Sequence, residues 1–311
     1  ATLRDDAGEV ASAKVPADAD FTPHLDLPIP EDRMQTWSPE DPYLYELLIE
    51  LLDADGNVLD AAESYAGLRG VAVDGKAVKI NGRTIFQRLV LDQGYYPDGI
   101  MTAPTDDALR RDIELSMAAG FNGARLHQKV FEERFLYHAD RLGYLVWGEF
   151  ADWNGVVRSG VHHNTMTAAW VTQWLEALAR DYSHPCIVGW CGLNETSELV
   201  GDEITDLDDV TRAMFLAAKA ADPTRPVLDA SGYSHRVPET DVYDSHNYEQ
   251  DPAAFGELHV GLPEGRPYVN ARREGPISAP YRGQPYFVSE FGDIWWDPDA
   301  AKDSGRDQST S

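Results

Sequence analysis

The chain has 311 residues, 43% of them hydrophobic, which is enough apolar material to bury a substantial core. Its 53 acidic residues outnumber 26 basic ones and give a formal net charge of −27. That charge would repel phosphate backbones and anionic lipid surfaces, so neither nucleic acid nor a membrane is an expected partner. No segment approaches the ~20 consecutive apolar residues of a membrane-spanning helix.

The N-terminal region contains only strand and turn signals. Residues 1–30 carry four prolines and little periodicity, which predicts a loosely ordered strand or a linker. Beyond them, strands or hairpins are predicted at Tyr43–Leu52, Val58–Tyr65 and Val71–Arg83. This pattern is typical of the edge of a β-sandwich, and we predict a partial sandwich domain over residues 1–78.

From residue 79 onward, strand and helix signals alternate, which predicts a parallel sheet covered by helices. The clearest helix has Thr105 as its N-cap, carries Leu109, Ile113 and Met117 at helical spacing, and ends at Gly120. Further helices are predicted at Glu132–Leu142, Met166–Tyr182 and 207–221. Seven strands are predicted: Ile85–Leu91, Phe121–Leu126, Tyr144–Phe150, Cys186–Leu193, Val227–Ala230, Val242–Ser245 and Tyr286–Ser289.

Seven strands are one short of the eight that close a (β/α)8 TIM-type barrel. The polar segment Lys302–Ser311 cannot supply a buried eighth strand. We therefore predict an α/β fold in which a TIM-type barrel over residues 79–311 lacks its last strand and follows part of a β-sandwich. Further domains are expected in the full-length protein.

The two cysteines bear on the cellular compartment. Cys186 and Cys191 lie an odd number of residues apart on one predicted strand, so they face opposite sides and are not expected to form a disulfide. Free thiols suit a reducing compartment, and we expect a cytoplasmic protein. The absence of an initiator methionine at Ala1 leaves a removed leader or removed upstream domains open.

Polar side chains concentrate where the predicted strands end, and barrel enzymes place their chemistry at this face. They are Arg125, His127, Glu149, Asp152, Asn194, Glu195, His246, Asn247, Tyr248 and Glu290. Glu195 and Glu290 each follow an apolar, β-prone run, and such a pair suits glycoside hydrolysis, which needs one carboxylic acid and one carboxylate. A structural ion pair is the alternative for any single residue, but agreement among five strand ends favours a site.

Four segments occur in an order that resembles glycoside hydrolase family 2. They are Lys79–Phe86, Gly120–Arg125, Leu193–Glu195 and Ser289–Gly292. This family contains β-galactosidases, β-glucuronidases and β-mannosidases, and the similarity spans about residues 40–295. It implies a fragment with part of an immunoglobulin-like domain and most of the catalytic barrel.

The resemblance also implies roles for individual residues. Glu195 matches the general acid/base and Asn194 the neighbour that binds the sugar 2-hydroxyl. Glu290 matches the nucleophile, Arg125 the arginine that keeps it ionised, and Tyr248 a tyrosine beside it. The implied reaction is a double displacement through a glycosyl-enzyme intermediate with retained configuration, which requires carboxyl groups about 5–5.5 Å apart.

Departures from the family pattern bear on which sugar is bound. His127 lies in a sequence that is unusual for this part of the sugar-binding site. We interpret His127 and His246 as substrate-binding residues and Trp153 as a residue that stacks on a sugar. No glucuronidase-type Asn-Lys pair follows Glu290 and no mannosidase-type Trp-Gly-Gly-Gly follows Arg125, so a carbohydrate substrate of the β-galactosidase type and exo action are predicted. No metal-ligand spacing stands out, and no metal or cofactor is expected.

Two other classes of function stay open. One is a non-catalytic carbohydrate-binding protein or an inactive fragment, for which the missing eighth strand argues. The other is an endo-acting, glucanase-like hydrolase, which an open groove would favour over a blind pocket.

Overall fold

The computed structural model describes residues 1–17, 22–151, 168–196, 206–273 and 275–292. Its first strands are β1 Thr2–Asp5, β2 Gly8–Ser12, β3 Tyr45–Leu52 and β4 Val58–Ala66. They form an antiparallel sheet in the order β2-β1-β3-β4. The interpretation of residues 1–30 as a loose strand or linker was incomplete, because two strands of four and five residues are too short to show clear periodicity.

A small antiparallel sheet joins this region to the barrel. It comprises β5 Val71–Asp74, β6 Ala77–Ile80 and β7 Arg83–Thr84 in the order β5-β6-β7. The predicted domain boundary at residue 78 falls inside this sheet, and its position stays a prediction.

In the part of the chain that the structure describes, seven strands and five α-helices follow. The strands are β8 Leu89–Asp92, β9 Gly123–Leu126, β10 Leu145–Glu149, β11 Ile187–Asn194, β12 Val227–Ser231, β13 Tyr243–Asn247 and β14 Tyr286–Phe291. The helices are α1 Asp106–Ala118, α2 Glu133–Leu142, α3 Ala168–Asp181, α4 Asp206–Ala221 and α5 Pro252–His259. All seven predicted strands and all four predicted helices are present, whereas α5 was not predicted.

The strands pair in parallel, in chain order. Strands β8 to β12 form one sheet in the order β12-β11-β10-β9-β8, and β13 pairs with β14 beside it. Within the described residues, no hydrogen-bonded ladder joins these two sheets and no eighth strand is present. The predicted fold class, a TIM-type barrel preceded by part of a β-sandwich, is confirmed.

Local sequence signals account for the helix ends. The Thr105 hydroxyl accepts the N–H of Ala108 at 3.2 Å and caps α1, satisfying a donor that has no partner within the helix. Leu109 and Ile113 are buried as predicted, whereas Met117 is 39% exposed. Helix α2 ends where Gly143 adopts a φ of 72°, a conformation that glycine reaches without steric cost.

A tryptophan fills the barrel interior one layer below the strand ends. Trp147 packs edge-on against Phe287, with ring centroids 5.4 Å apart, and its indole N–H donates to Gln87 Oε1 at 2.7 Å. Gly189 on the neighbouring strand leaves the room, since a Cβ there would lie 2.5 Å from the indole. Trp147 is buried and lies two residues before Glu149 on the same strand, so it packs beneath the polar groups at the strand end.

The N-terminal strands dock on the opposite end of the barrel. The Trp37 indole donates to the carbonyl of Asp140 at 2.7 Å, and the Tyr65 hydroxyl donates to the carboxylate of Asp140 at 2.8 Å.

Cys186 and Cys191 are both free and buried, as predicted. Within the described ranges, we find no helix with the length and apolar character that crossing a bilayer demands.

Candidate active site

The carboxyl ends of the strands gather seven of the eight side chains predicted for the site. These are Arg125 on β9 and His127 directly after it, Asn194 and Glu195 at the end of β11, His246 and Tyr248 at the end of β13, and Glu290 on β14. The eighth, Trp153, lies outside the described residues.

The guanidinium of Arg125 lies between two glutamates. Its Nη2 donates to Glu290 Oε1, its Nη1 donates to Glu149 Oε2, and Nη1 also donates to Asn194 Oδ1 at 3.3 Å. Arg125 is 4% exposed and Glu149 is 2% exposed. Burial raises the pKa of Glu149, but Arg125 and His127 together outweigh burial and hold this pKa below its ordinary value. Glu149 is therefore a buried anion. The sequence analysis placed Glu149 at a strand end but did not predict its pairing with Arg125.

Replacing Arg125 by methionine is expected to lower the free energy of unfolding by about 3–5 kcal/mol, because Glu149 would be left as a buried, unpaired charge. Without the guanidinium, burial would raise the pKa of Glu149 in the folded state above its unfolded value. The loss should therefore be smaller at pH 5 than at pH 8. Urea denaturation at both pH values measures it, with Arg125→Met/Glu149→Gln as the control that restores part of the stability. An equal loss at both pH values would contradict the assignment.

Glu290 is held by donors from several elements. Besides Arg125, the Tyr248 hydroxyl donates to Glu290 Oε2 at 2.6 Å. Burial and the neighbouring Glu290 raise the pKa of Tyr248, so the phenol keeps its proton and remains a donor. His127 Nδ1 lies 3.7 Å from Glu290 Oε1 and 3.4 Å from Glu149 Oε1. Arg125 and Tyr248 thus donate to different oxygens of Glu290.

Glu195 has a different environment. Its φ is 51°, a left-handed conformation that costs a residue with a side chain about 1–3 kcal/mol and is concentrated at functional sites. Its backbone N–H donates to the carbonyl of Ser231 at 2.8 Å, and its Oε1 lies 3.1 Å from His246 Nδ1. No cationic Lys or Arg side chain pairs with its carboxyl among the described residues.

The two glutamates face each other across the barrel mouth. An oxygen of Glu195, a ring nitrogen of His246 and an oxygen of Glu290 all lie within 4.8 Å of one another. Retaining glycosidases have carboxyl groups about 5–5.5 Å apart, whereas inverting enzymes need about 6.5–9.5 Å to admit a water. An approach of two oxygens within 4.8 Å is closer than the carboxyl separation that inverting enzymes need.

The same three side chains are the set in the described chain with donor atoms close enough for a metal ion. Glu290 already pairs with Arg125 and accepts from Tyr248. A cation added there would be repelled by the guanidinium. We therefore assign no metal to this cluster.

Sequence reasoning missed the residues that hold His246 in place. The Asn270 side chain accepts from the His246 backbone N–H at 3.0 Å and donates to its carbonyl at 2.9 Å. A Cβ on Gly232 would clash with the His246 ring. Asn270 lies in the long connection between β13 and β14, which has no periodicity that could have indicated it.

Comparison with known proteins identifies two matching family models. Residues 1–69 match the model described as glycosyl hydrolases family 2, and residues 71–260 match glycosyl hydrolases family 2, TIM barrel domain.

Individual relatives carry two activities in their names. The chain is 29% identical to a β-galactosidase of Vibrio cholerae over 208 residues, covering 63% of this chain and 18% of that protein. It is also 29% identical to a β-glucuronidase of Paenibacillus borealis over 280 residues, covering 84% of this chain and 44% of that protein. The chain thus spans less than half the length of either relative.

Among solved structures, a β-D-glucuronidase of Dictyoglomus thermophilum superposes with a TM-score of 0.71. The identity is 22%, and the match covers 96% of this chain and 51% of the other. At this identity the likeness shows the fold alone.

Proposed function

We propose that this chain, which belongs to glycosyl hydrolase family 2, carries the catalytic centre of a retaining, exo-acting β-glycoside hydrolase. One observation carries the proposal: two glutamates from different strands lie within 4.8 Å of one another, and only Glu290 is paired with a guanidinium. A carboxylate paired with arginine stays ionised, and a carboxyl without a cation is more easily protonated. This difference suits a nucleophile and an acid.

In the first step, an oxygen of Glu290 attacks the anomeric carbon while the bond to the leaving oxygen breaks. Glu195 gives its proton to that oxygen, and a glycosyl ester of Glu290 forms. In the second step, Glu195 takes a proton from water, the water oxygen bonds to the anomeric carbon, and Glu290 leaves as a carboxylate. Two inversions at one carbon retain the configuration.

The remaining side chains would bind the sugar. We propose that Asn194 hydrogen-bonds the 2-hydroxyl from its place beside Arg125, 3.3 Å from Nη1, and that Tyr248 holds the nucleophile. His127 and His246 lie at the same mouth and would contact further hydroxyls, and Trp153 would stack on a sugar face. Both steps of the proposed reaction use only Glu195, Glu290 and water.

A β-galactoside is the proposed substrate, with a β-glucuronide as the second candidate because the relative that covers 84% of this chain bears that name. We expect the chain to hydrolyse one of a panel of 4-nitrophenyl β-glycosides, and proton NMR of the first product should show the β-anomer. The panel includes galactoside, glucuronide, glucoside and mannoside, with a cello-oligosaccharide to detect endo action. An α-anomer formed first would contradict the retaining mechanism. Binding without turnover, in this chain and in a C-terminally extended one, would favour a carbohydrate-binding role.

A further inference from the structure

A row of buried polar groups lies behind the two glutamates and begins at Asp244. Asp244 Oδ2 accepts the N–H of Gly232 at 2.8 Å and the hydroxyl of Ser289, and Oδ1 lies 3.1 Å from His235 Nε2. Burial raises the pKa of Asp244, but His235, with smaller contributions from His246 and Ser289, outweighs burial and holds this pKa below its ordinary value. Burial alone would lower the pKa of His235, yet Asp229 and Asp244 raise it to about 10. Asp244 is thus an ionised group that only accepts hydrogen bonds.

This acceptor fixes the direction of the next two hydrogen bonds. A serine hydroxyl has one proton, and Ser289 gives it to Asp244, so Ser289 Oγ must accept from Ser231 Oγ at 3.1 Å. The single hydroxyl proton of Ser231 is then donated to Ser289. Its oxygen lies 3.3 Å from His246 Nε2 and can only accept. The neutral His246 ring therefore carries its proton on Nε2.

The other ring nitrogen consequently needs a donor. Two groups lie near His246 Nδ1: Glu195 Oε1 at 3.1 Å and the Tyr248 hydroxyl at 3.3 Å. Tyr248 gives its proton to Glu290 Oε2 at 2.6 Å. For a neutral ring, only a protonated Glu195 among these two groups can therefore donate to Nδ1. His246 Nε2 also lies 3.4 Å from Glu290 Oε1, but its proton is already directed to Ser231.

We propose that His246 is a positioning residue that holds Glu195 ready as the acid, because its Nδ1 accepts a hydrogen bond from the Glu195 carboxyl group. The proposal rests on the proposed function, because it explains how Glu195 is kept ready as the acid. The titratable and charged groups that face His246 or its partners are Glu195, Glu290, Tyr248, Tyr233, Asp244, Arg125 and His127. The serine row from Asp244 makes the two ring nitrogens unequal.

The tautomer can be tested without any turnover. Nitrogen-15 NMR of protein labelled in its histidine rings, at neutral pH, is expected to show His246 as neutral imidazole with the proton on Nε2. The resonance is assigned by its loss in His246→Asn. Ser231→Ala should give a detectable fraction of the Nδ1–H tautomer, whereas Ser278→Ala, outside the row, should not. A proton on Nδ1, or a charged ring, in the parent protein would overturn the proposal even if the chain hydrolyses glycosides.

The pH profile tests the consequence for the reaction. In His246→Ala, the basic limb of kcat/KM is expected to fall by about one pH unit, since the lost hydrogen bond from Glu195 is worth roughly one pKa unit. Ser231→Ala should move the basic limb in the same direction by less, with little risk to folding. A purely structural role would lower kcat/KM at every pH and leave the basic limb in place, which would overturn the proposal. If the parent hydrolyses nothing, the proposed function fails while the NMR result still decides the tautomer.

Discussion

Glu290→Ala is expected to lower kcat of this chain by roughly 10⁴-fold or more, the scale seen when a covalent nucleophile is removed. The Arg125 guanidinium and the Tyr248 hydroxyl both donate to Glu290, and alanine removes this shared acceptor. Among the described residues, no other carboxylate accepts hydrogen bonds from both Arg125 and Tyr248. The measurement is steady-state hydrolysis of the best 4-nitrophenyl glycoside, beside Glu264→Ala, an exposed glutamate of the same domain, as the matched control.

Added azide makes this test specific for the role of Glu290. In Glu290→Ala, azide can occupy the space of the missing carboxylate and attack the anomeric carbon directly. A single inversion would then give an α-glycosyl azide, in contrast to the two inversions of the retaining mechanism. Loss of activity without rescue, accompanied by a changed thermal unfolding curve, would mean that Glu290 supports the fold. A variant that keeps a tenth of the parent activity would exclude it as the nucleophile.

The fold and the position of the site could be predicted because short apolar runs end in polar residues. Strand β11 is buried over its whole length from Ile187 to Asn194, and such a run is read directly from the sequence. Parallel strands in a barrel present their carboxyl ends at one face. Placing Glu195 and Glu290 at two of these ends was therefore sufficient to expect them near each other.

The pairing of side chains could not be predicted in the same way. Arg125 contacts both Glu149 and Glu290 because of which strand ends lie side by side. Local hydrophobic periodicity does not determine that strand order. The His246 contacts depend on Asn270, which lies on a connection without pattern, and on Gly232, whose small size has no other signal. The helix α5 was missed because only eight residues form it, too few for a clear period.

Glu195 is expected to show an effect that depends on the leaving group. In Glu195→Ala, hydrolysis of an alkyl β-glycoside should fall by about 10²–10⁴-fold, the contribution of a general acid. Hydrolysis of the 2,4-dinitrophenyl glycoside should be impaired far less in its first step, because that anion departs without a proton. The glycosyl-enzyme would then accumulate, and azide should release it as the β-glycosyl azide.

The two leaving groups together separate a general acid from every other role of Glu195. A nucleophile would be lost equally for both substrates, and a structural residue would lower both in proportion to the unfolded fraction. The Nε2–H of His246 is poorly placed to take over the proton transfer, because it lies on the side of the nucleophile, 3.4 Å from Glu290 Oε1. For each substrate, the rate of the variant is therefore divided by the rate of the parent. The quantity to measure is the ratio of these two values, alkyl glycoside over 2,4-dinitrophenyl glycoside. A ratio near one would remove Glu195 from proton transfer and with it the reason for a tautomer-fixed His246 beside it.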